Sequence, residues 1–294
     1  MYDLSALYEA ATVQEAVSLR LEHPEARILA GGTDVLVQLR EGKGAGKPLI
    51  SIHGIEELRG ISMEEDGTLR IGSLTSFTQI TNHPLIQEHI SVLGEAVDQV
   101  GGPQIRNAGT IGGNTCNGVT SADSASTLMA WDAVVELTGQ NGVRCIPIRE
   151  FYIKAGVVDL KPDEIQTAIL LPRTAYEGYK GHYIKYAMRE AMDIATIGCS
   201  VNVKLSDDKK TIEDVRAAYG VAGPVPTRVP TAETAVRGCS VSEETVRRFG
   251  EAVLEDLNPR DSWRASKAFR QHICVELAKR CLTQAILLSG GAAG

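Results

Sequence analysis

Apolar residues along the chain recur at helical spacing in some stretches and in short continuous or alternating runs in others. Thr12-Val13-Gln14-Glu15 has the T-x-x-E form of a capping box, and Ala16, Val17, Leu19 and Leu21 follow it. This predicts a short helix ending near His23-Pro24. Arg27 to Ala30 reads as a buried strand that runs straight into Gly31-Gly32-Thr33-Asp34. Val35, Leu36 and Leu39 then resume helical spacing, so the unit is strand, glycine turn, helix. Leu49 to Ile52 and Thr68 to Ile71 are further strands, the second after the turn signal Asp66-Gly67. Pro84 to Val100 is predicted as one helix with Leu85, Ile86, Ile90, Leu93 and Val97 on one side, stopped by Gly101-Gly102-Pro103.

The stretch from Gly94 to Gly118 holds seven glycines in 25 residues, which predicts backbone-lined loops rather than regular helix. Val134 to Leu137 and Val143 to Ile148 flank Asn141-Gly142 as a hairpin, and Glu164 to Leu171 is a strand stopped by Pro172. Residues 182–223 suggest a three-stranded antiparallel meander with Asp207-Asp208-Lys209-Lys210 as one turn. Toward the end Ser242 caps one helix, and Trp263, Phe269, Ile273, Leu277, Cys281 and Ala285 mark another at mostly four-residue steps. A domain boundary is expected near 172–180.

Composition narrows the classes. The chain has 294 residues, enough for about two domains, and ~75% of its unfolded surface can be buried without staples. Its net charge of −7 argues against non-specific binding to nucleic acid or to an anionic membrane. No apolar run approaches the ~20 residues of a membrane span. Met1 to Ser5 lack the basic and apolar regions of a signal peptide, so a cytoplasmic protein is expected. Six cysteines are scattered without a C-x-x-C, which offers no zinc ribbon and no iron–sulfur run. The six histidines show no H-E-x-x-H, no metal site is expected, and no G-x-S-x-G elbow occurs. Glycine stands out at 29 residues, about 10% of the chain against a usual ~7%.

Those glycines mark two candidate sites. Gly31-Gly32 sits where a strand opens a helix, so it is either tight-turn punctuation or a place where free N–H groups meet an anion. It is neither a G-x-G-x-x-G fingerprint nor a Walker A loop. The second is Gly101 to Asn114, glycine-dense and threaded with hydroxyl and amide side chains. Asn114 reads as a turn residue or a ligand to ribose or phosphate oxygens. Asp123 reads as a helix N-cap or an acceptor for hydroxyls.

AGGTD, then GPQIRNAGTIGGN and a downstream SADSA, together resemble the FAD-binding subunits of the molybdenum hydroxylases, most of all those of bacterial xanthine dehydrogenases. The likeness spans nearly the whole chain, including Lys185 to Arg189 and Ser262 to Lys267. It implies an α+β fold: a two-subdomain FAD-binding domain of the vanillyl-alcohol oxidase (PCMH) type, then an antiparallel sheet with helices like the CO dehydrogenase flavoprotein C-terminal domain. The expected domains are 1–175, with subdomains of about 1–57 and 58–175, and 176–294.

Carried over by position, the resemblance assigns Ile28, Leu29, Ala30, Gly31, Gly32, Thr33, Asp34 and Val35 to a first pyrophosphate loop. Gly101, Ile105, Thr110, Gly113 and Asn114 match a second segment around the diphosphate and ribityl chain. Asp123 matches an acceptor for flavin-chain or ribose hydroxyls, and Gln166 falls beside the adenine or ribose, where the family often has an apolar residue. Lys185 matches a lysine reaching toward the FAD, although alone it reads as a strand lysine on a solvated face. No side chain is expected to be catalytic, because the flavin carries the chemistry. The molybdenum cofactor is then expected on a large partner subunit and the [2Fe-2S] clusters on a small one, forming a heterotrimer with NAD+ as the electron acceptor and a purine as substrate. The rival readings are a stand-alone flavin oxidoreductase of the vanillyl-alcohol oxidase class and an FAD-free scaffold subunit.

Overall fold

A computed structural model describes residues 3–292. Leu7–Glu9 (β1), Arg27–Leu29 (β2) and Leu49–Ser51 (β3) form a parallel sheet in the order β1-β3-β2. Between them run the helices Val13–Glu22 (α1) and Val35–Arg40 (α2). The α1 start follows its capping sequence: Thr12 Oγ1 accepts from Glu15 N, while the Glu15 carboxylate accepts from Ala11 N at 2.8 Å. Ala16, Val17 and Ile50 meet in a small core beneath this sheet.

A five-stranded antiparallel sheet follows, made of Ile61–Met63 (β4), Leu69–Gly72 (β5), Val134–Gly139 (β6), Gly142–Pro147 (β7) and Ile165–Leu171 (β10). Its strand order is β4-β5-β10-β6-β7. The Asn141-Gly142 turn closes the β6–β7 hairpin as read from sequence, with Gly142 at φ +100°. A turn of helix, Ile148–Phe151 (α9), and a two-stranded ribbon of Tyr152–Lys154 (β8) and Val157–Val158 (β9) precede β10.

The helices inserted between β5 and β6 depart from expectation. Phe77–Asn82 (α3) leads into Pro84–His89 (α4) and Ser91–Val97 (α5), where one helix was expected through Val100. The chain breaks at Ile90, φ −140° and ψ 46°, although the apolar period continues across it. Ile86, Ile90, Leu93 and Val97 are all fully buried in one core, so the break serves their packing. The glycine-rich stretch is not a set of loops either. It forms two six-residue helices, Pro103–Ala108 (α6) and Ile111–Cys116 (α7), before Asp123–Ala130 (α8). Every residue of α8 is buried, and it packs between α5 and the C-terminal sheet.

After a helical turn at Arg173–Tyr176 (α10) comes a four-stranded antiparallel sheet. Its strands are Lys180–Tyr186 (β11), Ile197–Leu205 (β12), Ile212–Gly220 (β13) and Thr227–Arg228 (β14), so the meander expected over 182–223 is present with one added strand. Pro230–Val236 (α11), Glu243–Ala252 (α12) and Lys267–Leu288 (α13) cover one face. Ile197, Val201 and Tyr219 of the sheet pack on Phe249, Leu277 and Leu282. Ser242 and Ser266 cap α12 and α13. Trp263, expected within the last helix, lies ahead of it and is 80% exposed. No helix among the described residues is long and apolar enough to cross a membrane.

Candidate functional site

A cleft of about 660 Å³ runs between the turn after β2, the α6–α7 segment, the start of β10 and residues 192–194. That is an ordinary size for a small-molecule site. Of the sixteen positions singled out from sequence, all but Leu29 and Lys185 line it. Leu29 sits behind the turn, its Cδ1 3.3 Å from where a Gly32 Cβ would stand.

Both glycines of the turn are required, for different reasons. Gly32 has φ +75°, a left-handed conformation that costs other L residues roughly 1–2 kcal/mol. Gly31 has an ordinary backbone, but a Cβ there would stand 1.8 Å from the Ala108 carbonyl oxygen. The turn is thus pressed onto the end of α6, and the two glycine segments form one wall. At Gly31 the lack of a side chain serves this packing of the turn on α6. The backbone N–H groups of Gly31, Gly32, Thr33 and Asp34 have no protein acceptor among the described residues. Unpaired N–H groups of this kind call for an anion or water.

The second segment satisfies itself more fully. Thr110 Oγ1 accepts from Gly113 N at 3.1 Å, Ile111 N donates to Thr75 O, and Gly112 N to Ser73 O. A Cβ on Gly112 would lie 2.5 Å from Ser73 Cβ, so this glycine also serves close packing. Asn114 Oδ1 accepts from Ser124 Oγ at 2.6 Å, which leaves the amide Nδ2 free at the cleft. Gln166 is buried, with Thr115 Oγ1 at 2.8 Å and Cys116 Sγ at 3.0 Å from its Oε1.

Asp123 is not an N-cap, since Ala122 holds that position. Its carboxylate accepts from Tyr183 Oη at 2.7 Å and from Lys185 Nζ at 2.9 Å. Burial pushes its pKa up, opposed by the Lys185 charge and by both hydrogen bonds. Lys185 is therefore neither on a solvated face nor on the cleft wall. With only 7% of its side chain exposed, it stands behind Asp123 and also donates to Gln99 O at 3.0 Å.

Sequence reading missed Arg20, Arg27, Cys116, Met192 and Ile194, all on the wall. Arg20 donates Nη1 to Ala26 O and Arg27 donates Nη2 to Gln38 Oε1, yet neither forms an ion pair among the described residues. Burial lowers the Arg20 pKa against the pull of Asp163. Of the wall's acids, Asp123, Glu164 and Asp193 are paired with Lys185, Arg144 and Arg264, and Asp34 is exposed. No histidine or lysine lines the cleft, and burial lifts the Cys116 thiol to about 12, so it stays protonated at neutral pH. Among the described residues no cluster suits a metal ion.

Residues 3–174 match the family described as the FAD binding domain in molybdopterin dehydrogenase, and residues 182–285 match the CO dehydrogenase flavoprotein C-terminal domain. The chain belongs to the FAD-binding subunits of the molybdenum hydroxylases. Among this family, it is 43% identical over 291 residues to the putative xanthine dehydrogenase FAD-binding subunit XdhB of Escherichia coli K12, covering 99% of each. It is 34% identical to the nicotinate dehydrogenase FAD-subunit of Eubacterium barkeri, covering 80% of each. A chain of carbon monoxide dehydrogenase from Hydrogenophaga pseudoflava superimposes with a TM-score of 0.92 at 28% identity, over 98% of this chain and 99% of that one. The fold implied by the family resemblance is therefore the one present, an FAD-binding domain followed by a CO dehydrogenase-type C-terminal domain.

Proposed function

We propose that this subunit holds FAD in the cleft and passes electrons from [2Fe-2S] clusters on a small partner subunit to NAD+. In this reading the molybdenum cofactor sits on a large partner subunit that hydroxylates a purine. FAD supplies the redox chemistry when bound, exchanging electrons singly on one side and in pairs on the other. The chain supplies binding and orientation. The N–H groups of Gly31 to Asp34, which have no protein acceptor among the described residues, would hold the diphosphate, and Asn114 Nδ2 and the Asp123 carboxylate would serve its hydroxyls. Lys185 and Tyr183 fix Asp123 from behind, so its oxygens keep one orientation.

The observation that carries this reading is the cleft wall itself. Two glycine segments meet there, and the N–H groups of the Gly31 turn have no protein acceptor among the described residues, which leaves them for an anion. The purine assignment follows the similarity to XdhB over 99% of both chains, against lower identity to relatives named for other substrates. The test is purification from cells co-expressing the candidate partners, with metals and co-purifying chains identified by mass. Purine-dependent NADH formation that appears only with the partners supports the assignment. Purine oxidation by the isolated chain, or none by the complete assembly, contradicts it.

A further inference from the structure

The segment between β11 and β12, Ala187 to Ala195, comes from the C-terminal sheet and reaches the mouth of the cleft, where Met192, Asp193 and Ile194 line the wall. It makes little use of the core. Met188, Met192 and Ile194 are 61%, 65% and 52% exposed, and Met192 has φ +51°, which L residues seldom adopt. A second cavity of about 310 Å³, lined by Gln99 and residues 185–193, lies behind the segment. At its tip, Met192 Sδ lies 3.3 Å from where a Gly102 Cβ would stand, so the segment spans from the C-terminal sheet to the glycine-rich wall.

One buried carboxylate ties this segment together. Asp193 is 5% exposed at its side chain and accepts from Met188 N and Arg189 N at 3.0 Å each, and from its neighbour Ile194 N at 2.8 Å. Arg189 stands 3.5 Å away and donates to Met192 O. The link outward is Arg264, whose Nη1 lies 3.4 Å from Asp193 Oδ1 and whose guanidinium stacks on Trp263. Arg264 belongs to a turn fixed by Arg270 of α13. Arg270 donates Nη2 to Ser262 Oγ at 2.8 Å and Nη1 to Thr196 O at 2.5 Å. The segment is thus fastened at two points: Thr196, just past its far end, to Arg270 of α13, and Asp193, beside the cleft, to Arg264 of the turn before α13.

We propose that Asp193 is a positioning residue whose carboxylate clasps this segment to the turn before α13, and so sets how fast FAD leaves the cleft and how far solvent reaches it. The proposal rests on the reading that FAD occupies this cleft. It assigns Asp193 no contact with the reacting atoms. A carboxylate shared among several N–H groups is a strong local tie, because charge-assisted bonds outlast neutral ones. Arg264 is the only described contact through which that tie reaches the turn before α13.

The test compares the full native chain with Asp193→Ala and Arg264→Ala. Amide exchange at Met188, Arg189 and Ile194 is read on the FAD-free protein. Release of FAD to an excess of trapping apoprotein, and iodide quenching of bound flavin, are read on the loaded one. Asp193→Ala is expected to speed exchange at the three amides and to speed FAD release, each by roughly tenfold or more, as loss of a charged hydrogen-bond partner does. Arg264→Ala is expected to speed FAD release and quenching while leaving the amides of Met188 and Arg189 protected. A purely structural role for Asp193 would not separate the variants in this way. Native rates of release and quenching in both variants, with the α13 core still protected from exchange, overturn the proposal. A native chain that takes up no FAD refutes the cofactor reading instead. In that case unchanged amide exchange in Asp193→Ala refutes the clasp independently.

Discussion

Replacing Gly31 with alanine puts a methyl group where the Ala108 carbonyl already stands. The new Cβ would lie 1.8 Å from that oxygen, 2.7 Å from its carbon and 3.2 Å from Gly109 Cα. All three are backbone atoms, so no side chain can swing aside. Overpacking of this kind costs roughly 1–3 kcal/mol, and the upper end applies when the obstacle is backbone. The strain is relieved by parting the turn from α6, which separates the two halves of the proposed diphosphate wall. If FAD must close that gap to bind, about 3 kcal/mol lowers its affinity by roughly a hundredfold. The assay is titration of apoprotein with FAD, followed by flavin fluorescence, with thermal unfolding of the apoprotein in parallel. Gly42→Ala is the matched control: φ is +80° with nothing within 4 Å of the new methyl, so it carries backbone strain at a residue that does not line the cleft. It should bind FAD normally despite a loss of about 1 kcal/mol in stability. A Gly31→Ala variant that binds FAD within about threefold of native refutes the reasoning, since the wall would then tolerate the separation it is held to forbid.

Three other outcomes follow from the same geometry. Arg20→Gln removes an unpaired cation from the wall, and FAD affinity should fall roughly tenfold, with weaker dependence on salt than in the native chain. Alkylation at pH 8, mapped by peptide mass, should label exposed Cys145 first and leave Cys199, Cys274 and Cys281 untouched until unfolding, because those three are buried. Glu136 gives a pH signature. Burial alone would raise its pKa, but hydrogen bonds from Arg70 and Thr167 and the Arg70 charge hold it below the usual carboxylate range. Its stabilising contribution is present above the unfolded-state pKa near ~4.3 and is lost as pH falls through the lower folded value. Glu136→Gln should therefore cost about 1 kcal/mol near neutral pH and nothing in strong acid, read by denaturant titration at several pH values.

What the sequence made legible was local. Thr12, Ser242 and the Asn141-Gly142 pair announce their caps and turn within a few residues, and each appears where expected. The Gly31-Gly32 turn was visible because a strand period stops and a helical period starts across it. Ile90 was not, since the apolar spacing runs unbroken through the point where the backbone turns aside to bury it. The α6 and α7 helices were hidden by their glycines, which read as loop signals but serve close approach to Ser73 and Phe77. Pairings across the chain were beyond local reasoning. Lys185 meets Asp123 from 62 residues away, and nothing near either residue shows that the lysine backs the cleft rather than facing it. Arg20 and Arg27 carry no motif at all; only the folded turn brings them to the wall. The family resemblance reached the cleft because its motif records such distant contacts indirectly.

If the cleft between the Gly31 turn and the α6–α7 segment holds FAD, the full chain takes it up one to one and loses that uptake when the turn is parted from α6. The most direct measurement is the visible spectrum and FAD content of the full chain after titration with FAD, repeated on Gly31→Ala. A flavin spectrum with one FAD per native chain and a greatly weakened uptake in the variant is the expected result. A native chain that stays colourless and takes up no FAD contradicts it.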